Sequence, residues 1–281
     1  LQPPAGHELV VAIDTLVEGV HFPVGAAAAD IGWKSLAVNL SDLAAMGATP
    51  AWALLSLTLP SGERGFVESF IDGFMQLARS QGLALVGGDT TQGPLSASVV
   101  VHGFVPAQQA LRRQGAKTGD VVMVTGTLGD AASALRCLDR QHARAHALLS
   151  GPRGTRENLL NRLKRPTPRL AAGVALRGVA SDCIDISDGL LADLAHVCSA
   201  SGVGAEIDAP LLPRSSALLT LFDAGDALEF ALSGGDDYEL CFSVPADRAA
   251  AIASDLSRMG CGATRIGRIV TGDGVRVRDA D

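Results

Sequence analysis

A chain of 281 residues is long enough for two domains or one large one. With 47% hydrophobic and 19% charged residues it has ample material for a core, and 32 glycines beside 4% aromatics suit an α/β protein with many tight strand-to-helix turns. The net charge of −7, with no Lys/Arg cluster interleaved with aromatics, leaves no electrostatic footprint for nucleic acid, whereas a phosphate ligand stays open because metal ions reverse local charge. Cys137, Cys183, Cys198, Cys241 and Cys261 are widely spaced and form no C-x-x-C, so they read as small buried hydrophobes of a reducing, cytoplasmic protein. No signal segment and no apolar run of membrane length stand in the chain. It opens at Leu1, without Met and almost at once in a strand, which suggests that residues precede it.

Glu8–Asp14 (ELVVAID) is a predicted strand ending in a carboxylate, continued in extended form over Val17–Phe22. Ile31–Pro50 is a helix of about 16 residues, stopped by Gly47 and Pro50. Trp33, Leu36, Ala37, Leu40, Leu43 and Ala44 cover most of its circumference, so it is expected to be buried. Ser35, Asn39 and Asp42 interrupt that surface on one narrow stripe. A strand over 51–59, a helix over 63–81 with Phe66, Phe70, Phe74 and Leu77 facing the core, a short strand over 83–86 running into Gly87–Thr91, and a strand over 95–105 complete a first β-α-β-α-β-β unit, residues 1–108.

The second unit, 109–281, starts with a polar, Gly-punctuated stretch. A strand follows at 121–125, a turn at 126–129 and a helix at 130–138. Residues 140–158 carry no clear element, and a short helix follows the Pro-rich turn within 166–177. A strand end at 183–188 leads to a helix, 188–201, that Ser187 is expected to cap and Gly202 to close. After a strand at 204–207 come a Pro-rich turn and a helix, then the Ser233–Asp237 turn, a strand over 238–244, a helix over 246–259 and a final strand over 264–270.

Asp14, Asp42, Asp89, Asp185 and Asp188 each lie at the end of an apolar strand or on the buried helix, beside Gly, Ser or Thr. Ligands of α/β folds sit at such strand ends. Converging carboxylates repel one another unless a cation joins them, and hard cations such as Mg²⁺ take carboxylate, water and phosphate oxygens. Any one of the five alone reads as a turn or capping residue; five together point to a Mg²⁺–polyphosphate pocket. Other signatures fail. Gly115-Ala116-Lys117-Thr118 lacks both glycines of a P-loop, at 111 and 116, no G-x-G-x-x-G follows a strand, and no G-x-S-x-G supports acyl transfer. Gly126–Gly129, a glycine turn that opens a helix, could seat an anion on free N–H groups or be a plain turn. Among the histidines, His21 stands out by its closeness to the Asp14 stretch.

Taken together, DTLVEGVHF at 14–22, AVNLSDLAAMGA at 37–48, GGDTT at 87–91, IDISDGL at 184–190 and SGGDDYEL at 233–240 resemble thiamine-monophosphate kinases, within the aminoimidazole-ribonucleotide-synthetase-like superfamily. The blocks run in the family's order along nearly the whole chain. The resemblance implies a two-domain α/β (α+β) fold whose N-terminal sheet pairs into a barrel in a homodimer, with a C-terminal domain closing over the nucleotide. It implies ATP as co-substrate and direct in-line transfer of the γ-phosphoryl group to thiamine monophosphate, assisted by several Mg²⁺ ions. Carried across, Asp14, Asp42, Asp89, Asp185 and Asp188 would bind metal, and Asp42, Asp89 and Asp185 would be the catalytic set. Gly88, Asp89, Arg113 and Ser187 would contact ATP, and His21 and Asp236 the substrate. Partners other than substrate and a second copy are not implied, and neither nucleic acid nor membrane is. The pattern departs in four places: the family's G-D-D-x-A segment would precede Leu1, its C-terminal aromatic would follow Asp281, Ala12-Ile13 stand where Ser or Thr often occur, and Asp236 stands for Glu.

Overall fold

A computed structural model describes residues 2–138 and 152–279. The first unit is a four-stranded sheet of β1 (His7–Val17), β2 (Thr49–Leu59), β3 (Ala84–Gln92) and β4 (Ser96–Pro106), in the order β1-β4-β2-β3. β2 and β3 run parallel; the other pairs are antiparallel. Helices α1 (Ala28–Ala45) and α2 (Arg64–Ser80) cover one face. Alternation sorts the side chains: Val10, Leu16, Leu55, Leu57, Val99 and Val101 are buried beneath the helices, while Leu9, Val11, Ile13 and Leu54 emerge on the other face.

The predicted burial of α1 holds over almost its whole length, because it packs on α2, on the sheet and on elements of the second unit. Gly47 follows it in the left-handed region, with φ +64°. Ser35, Asn39 and Asp42 are not the only breaks in its apolar surface: Lys34 and Ser41 are polar and buried too. In α2 the expected stripe is the core face, with Phe70, Phe74 and Leu77 enclosed and Phe66 packed at its edge. The two helices cross closely at glycines. A Cβ on Gly73 would lie 1.9 Å from the Ala29 carbonyl oxygen, and one on Gly32 2.0 Å from that of Phe70. Helix propensity alone favours alanine by roughly 1 kcal/mol. The clash reverses the sign, so Gly73→Ala is expected to cost at least about 1–3 kcal/mol, read as a lower urea midpoint at unchanged slope.

The second unit is a six-stranded sheet in the order β10-β7-β9-β5-β8-β6. Its strands are β5 (Val121–Thr125), β6 (Asp182–Asp185), β7 (Gly204–Asp208), β8 (Leu240–Val244), β9 (Ala263–Val270) and β10 (Gly274–Arg278). Between them run α3 (Asp130–Leu138), α4 (Arg153–Lys164), α5 (Leu170–Leu176), α6 (Leu190–Ser201), α7 (Ser216–Leu221), α8 (Ala224–Ser233) and α9 (Ala249–Arg258). α1 contacts α4, α5 and β6, which makes it the seam between the two sheets. Cys137, Cys183, Cys198 and Cys241 are buried, as expected of small hydrophobes, and Cys261 is partly exposed. Among the described residues no helix is long and apolar enough to cross a membrane.

Four expectations need correction. The strand expected over 83–86 does not stop there: β3 runs on through Gly87–Thr91 to Gln92, held by its parallel ladder to β2. The strand at 264–270 is not the last, because β10 pairs parallel with β7 beyond it. Ser187 does not cap α6. Gly189, at φ +114°, redirects the chain before the helix starts, and the cap is reversed: Asp193 in the first turn accepts the backbone N–H groups of Ser187 and Asp188, both at 3.0 Å. The stretch 140–158, read as having no clear element, ends in α4; 139–151 lie outside the described residues.

Candidate active site

Three of the five singled-out carboxylates meet where α1 crosses between the sheets. Asp14 on β1 is half-buried, on the side that Val10 and Leu16 share. Asp42, near the end of α1, lines a cavity of about 250 Å³ with Ala12, Ile13, Arg113 and Asp185. Asp185 closes β6, is 4% exposed and accepts a hydrogen bond from Ser41 Oγ at 2.7 Å. Burial, then the neighbouring charges of Asp185 and Asp14, push Asp42 up to about 7 against the pull of Arg113. Burial also raises Asp14 and Asp185. Positive charge brought to such a group would favour its ionised form.

The donor set is all carboxylate oxygen, the chemistry of Mg²⁺ rather than of zinc. Among the described residues no three His, Cys, Asp or Glu side chains stand close enough to share one ion. Mg²⁺ is ordinarily held by one or two carboxylates, with water and phosphate oxygens filling the remaining positions. The residues therefore fit a metal that arrives with a polyphosphate.

The other two carboxylates stand apart. Asp188 is exposed in the loop before α6, near Asp193, whose carboxyl is pushed up to about 6 by burial, with Asp185 and Asp188 adding to the rise. Ser187 is partly buried in the same loop. Asp89 is exposed on β3 and ends a polar row across the first sheet, Thr15–Ser98–Ser56–Asp89, on the face opposite the helices. Three strand spacings, roughly 14 Å, separate its strand from that of Asp14. Gly88 beside it is required by packing, since a Cβ would meet the Leu55 carbonyl oxygen at 1.8 Å.

A larger cavity lies elsewhere. About 510 Å³ opens between Gly19–Pro23 on one side and α3, Glu229, Phe230 and Ser233–Gly235 on the other. A smaller hollow of about 190 Å³ adjoins it through His21, Phe22 and Pro23, and Lys34 lines its wall. His21 is exposed, and its Nδ1 accepts the Val17 N–H at 3.0 Å. Asp236 receives Lys34 Nζ at 3.0 Å and the Tyr238 hydroxyl at 2.9 Å.

Sequence reasoning missed Lys34, Ser41, Asp237 and Glu239. A lone Lys or Ser on an apolar helix gives no local sign of its partner. Asp237 and Glu239 did stand in a singled-out motif, and both are structural. The Asp237 carboxyl accepts the Gly129 N–H at 3.0 Å, so the acceptor on the Gly126–Gly129 turn is a side chain of the protein itself. Glu239, fully buried, receives Arg169 at 2.6 and 2.5 Å, Arg162 at 2.9 Å and Thr125 Oγ1 at 2.6 Å.

One more carboxyl tests the electrostatics away from the cavity. Asp182, 1% exposed and bonded by Ser243 Oγ, is pushed up to about 7 by burial and by the charge of Asp120. Its folded value lies above its unfolded value of 3.8, so its contribution to stability is whole below that value and is lost as pH rises to about 7. The melting temperature of Asp182→Asn relative to the parent is therefore expected to improve from about pH 4 to about pH 7 and then level off. A pH-independent difference would show that Asp182 does not carry this cost.

The N-terminal domain of AIR synthase related proteins matches residues 1–105, and their C-terminal domain matches 117–280. The thiamine-monophosphate kinases of Salmonella typhimurium and Escherichia coli are 46% and 47% identical, each over 96% of this chain and 81% of the relative. The crystal structure of thiamine-monophosphate kinase from Stenotrophomonas maltophilia superposes with a TM-score of 0.93 at 52% identity, covering 99% of this chain and 87% of that one. A structure described as AaThiL complexed with AMPPCP and TMP gives 0.85 at 33% identity, covering 100% and 87%.

Proposed function

From membership of the thiamine-monophosphate kinase family of AIR synthase related proteins, to which this chain belongs, we propose that it transfers the γ-phosphoryl group of ATP directly and in line onto the phosphate of thiamine monophosphate, giving thiamine diphosphate and ADP. The observation that carries this reading is the crowding of Asp42 and Asp185 at one cavity, with the charge of Asp14 close enough to act on both and the guanidinium of Arg113 opposing them.

In this proposal Asp14, Asp42, Asp89, Asp185 and Asp188 hold several Mg²⁺ ions, which when bound neutralise the repulsion between donor and acceptor phosphates. Gly88 gives the nucleotide close approach to backbone, Arg113 meets a phosphate oxygen, and Ser187 offers its hydroxyl. His21 and Asp236 contact the acceptor at the larger cavity. Phosphoryl transfer asks for position and charge more than for covalent chemistry. An acceptor phosphate is already largely ionised near neutral pH, so no strong general base is required, in keeping with a His21 whose Nδ1 already accepts a backbone N–H.

The division at residue 108 falls between the four-stranded and the six-stranded sheet. Pairing of two copies through the outer face of the first sheet would cover Leu9, Val11, Ile13 and Leu54, and Asp89 shares that face. A biosynthetic kinase whose cysteines are mostly buried fits a cytoplasmic setting. An ADP-release assay with a panel of acceptors tests the proposal. ADP should form with thiamine monophosphate and only when Mg²⁺ is present. Release driven instead by an amide or a selenide acceptor would assign the chain to another activity of the superfamily.

A further inference from the structure

Lys34 is 3% exposed on α1, a place where lysine is seldom found without a partner. Its ammonium donates to Asp236 Oδ2 at 3.0 Å and to the His21 carbonyl oxygen at 3.2 Å. Those two acceptors belong to the two segments that face each other across the 510 Å³ cavity: His21 lines one wall, and Asp236 directly follows the Ser233–Gly235 stretch of the other. The second segment holds a backbone that non-glycine residues avoid, with φ +67° at Asp236 and +50° at Tyr238. Such conformations persist where surrounding contacts over-determine them, and they concentrate at ligand-binding loops. Here the Asp236 N–H is tied to the Ser187 carbonyl at 2.9 Å and the Tyr238 N–H to that of Ile186 at 2.8 Å. The Asp236 carboxylate is held at both oxygens, by Lys34 through Oδ2 and by the Tyr238 hydroxyl through Oδ1 at 2.9 Å.

We propose that Lys34 is a positioning residue for the acceptor: one buried ammonium sets the distance between the His21 segment and the Asp236 loop, and so shapes the cavity that receives the phosphorylated substrate. The inference rests on the kinase reading above. A pair serving stability alone would, once broken, lower the melting temperature and disturb both substrates alike. A positioning pair acts on one substrate.

The test uses the full chain as parent, Lys34→Met, Asp236→Asn, the double variant and Tyr238→Phe, with steady-state kinetics for both substrates and calorimetric titration with thiamine monophosphate. Hydrogen bonds to charged groups are strong enough that Lys34→Met and Asp236→Asn should each raise the acceptor KM and Kd about tenfold or more. The KM for ATP should stay within about twofold and kcat within about threefold. The double variant should be little worse than the worse single one, because the two changes break one shared contact. Tyr238→Phe keeps the ion pair and removes one hydrogen bond. It should fold and raise the acceptor KM several-fold, and it decides the matter if Lys34→Met does not fold. Equal losses for both substrates, additive effects in the double variant, or an unchanged acceptor KM in folded Lys34→Met or Tyr238→Phe would overturn the proposal. A parent that binds the acceptor without phosphorylating it would sink the kinase reading alone, and the Kd ratios would still judge Lys34. A parent that neither binds nor phosphorylates it would overturn both.

Discussion

Replacing Asp42 with Asn is expected to lower turnover by about 10²–10³-fold, the range seen when one electrostatic contact to a transition state is removed, while the chain stays folded. Asp42 is half-buried between Asp185 and Asp14, with Arg113 as the opposing charge. Its carboxyl, raised to about 7, is an expensive group to keep in the ligand-free protein. Folded above unfolded is the sign that lowers stability as pH rises from about 4 to about 7. Asn removes that cost, so the variant should melt no lower than the parent at pH 8, and higher by about 2–4 °C for each kcal/mol relieved. Loss of activity together with equal or greater stability is the signature of a residue kept for its charge. Parent-like turnover at saturating Mg²⁺ would remove Asp42 from the chemistry. A variant that melts well below the parent would make it a structural carboxylate.

Glu239→Ala should do the opposite: it should damage the fold first. The buried carboxylate receives two arginines, with Arg169 clamped through two nitrogens and Arg162 through one, and Thr125 supplies a further donor. Truncation leaves the partly buried Arg169 without its counter-charge, leaves Arg162 with only the more distant Asp130 at 3.9 Å, and opens a void beside Gly126. Breaking a buried pair in this way costs about 3–5 kcal/mol, a large share of the roughly 5–15 kcal/mol that holds a typical domain. The urea midpoint should fall accordingly, and the effect should reach α4, which Arg162 anchors to Glu239, just before β8, and to the Asp237 carbonyl at 3.1 Å. A midpoint equal to the parent's would mean that the arginines find other acceptors and that the cluster is not a structural centre.

Much of the framework was open to sequence reasoning where breakers bracket an element. The Val121–Thr125 strand and the Asp130–Leu138 helix match the expectation residue for residue, because Gly126 and Gly129 frame the turn between them. α1 was recognisable from an apolar circumference that only a buried helix carries, and from Gly47 and Pro50 behind it. Asp42 on that helix and Asp185 at a strand end stand where the sequence put them, whereas Asp14, expected at a strand end, lies inside β1, which runs on to Val17. What escaped depends on long-range pairing. Lys34 and Asp236 are 202 residues apart, and nothing local marks either as the other's partner. β10 is five residues of GVRVR, too short and too charged to announce itself before β7 offers an edge. Ser187 had the composition of a cap, but the φ of Gly189 and the reach of Asp193 decided otherwise. Asp89 shares the motif chemistry of the other carboxylates, yet the β2–β3 register sets it opposite Ser56 on the outer face of the sheet.

The most direct measurement is ³¹P NMR of the full chain mixed with Mg²⁺, ATP and thiamine monophosphate. Growth of the two phosphorus signals of thiamine diphosphate in step with ADP, absent without Mg²⁺ and lost in Asp42→Asn, is the predicted result. ATP that binds yet stays intact, or ADP that accumulates with inorganic phosphate and no thiamine diphosphate, would contradict it.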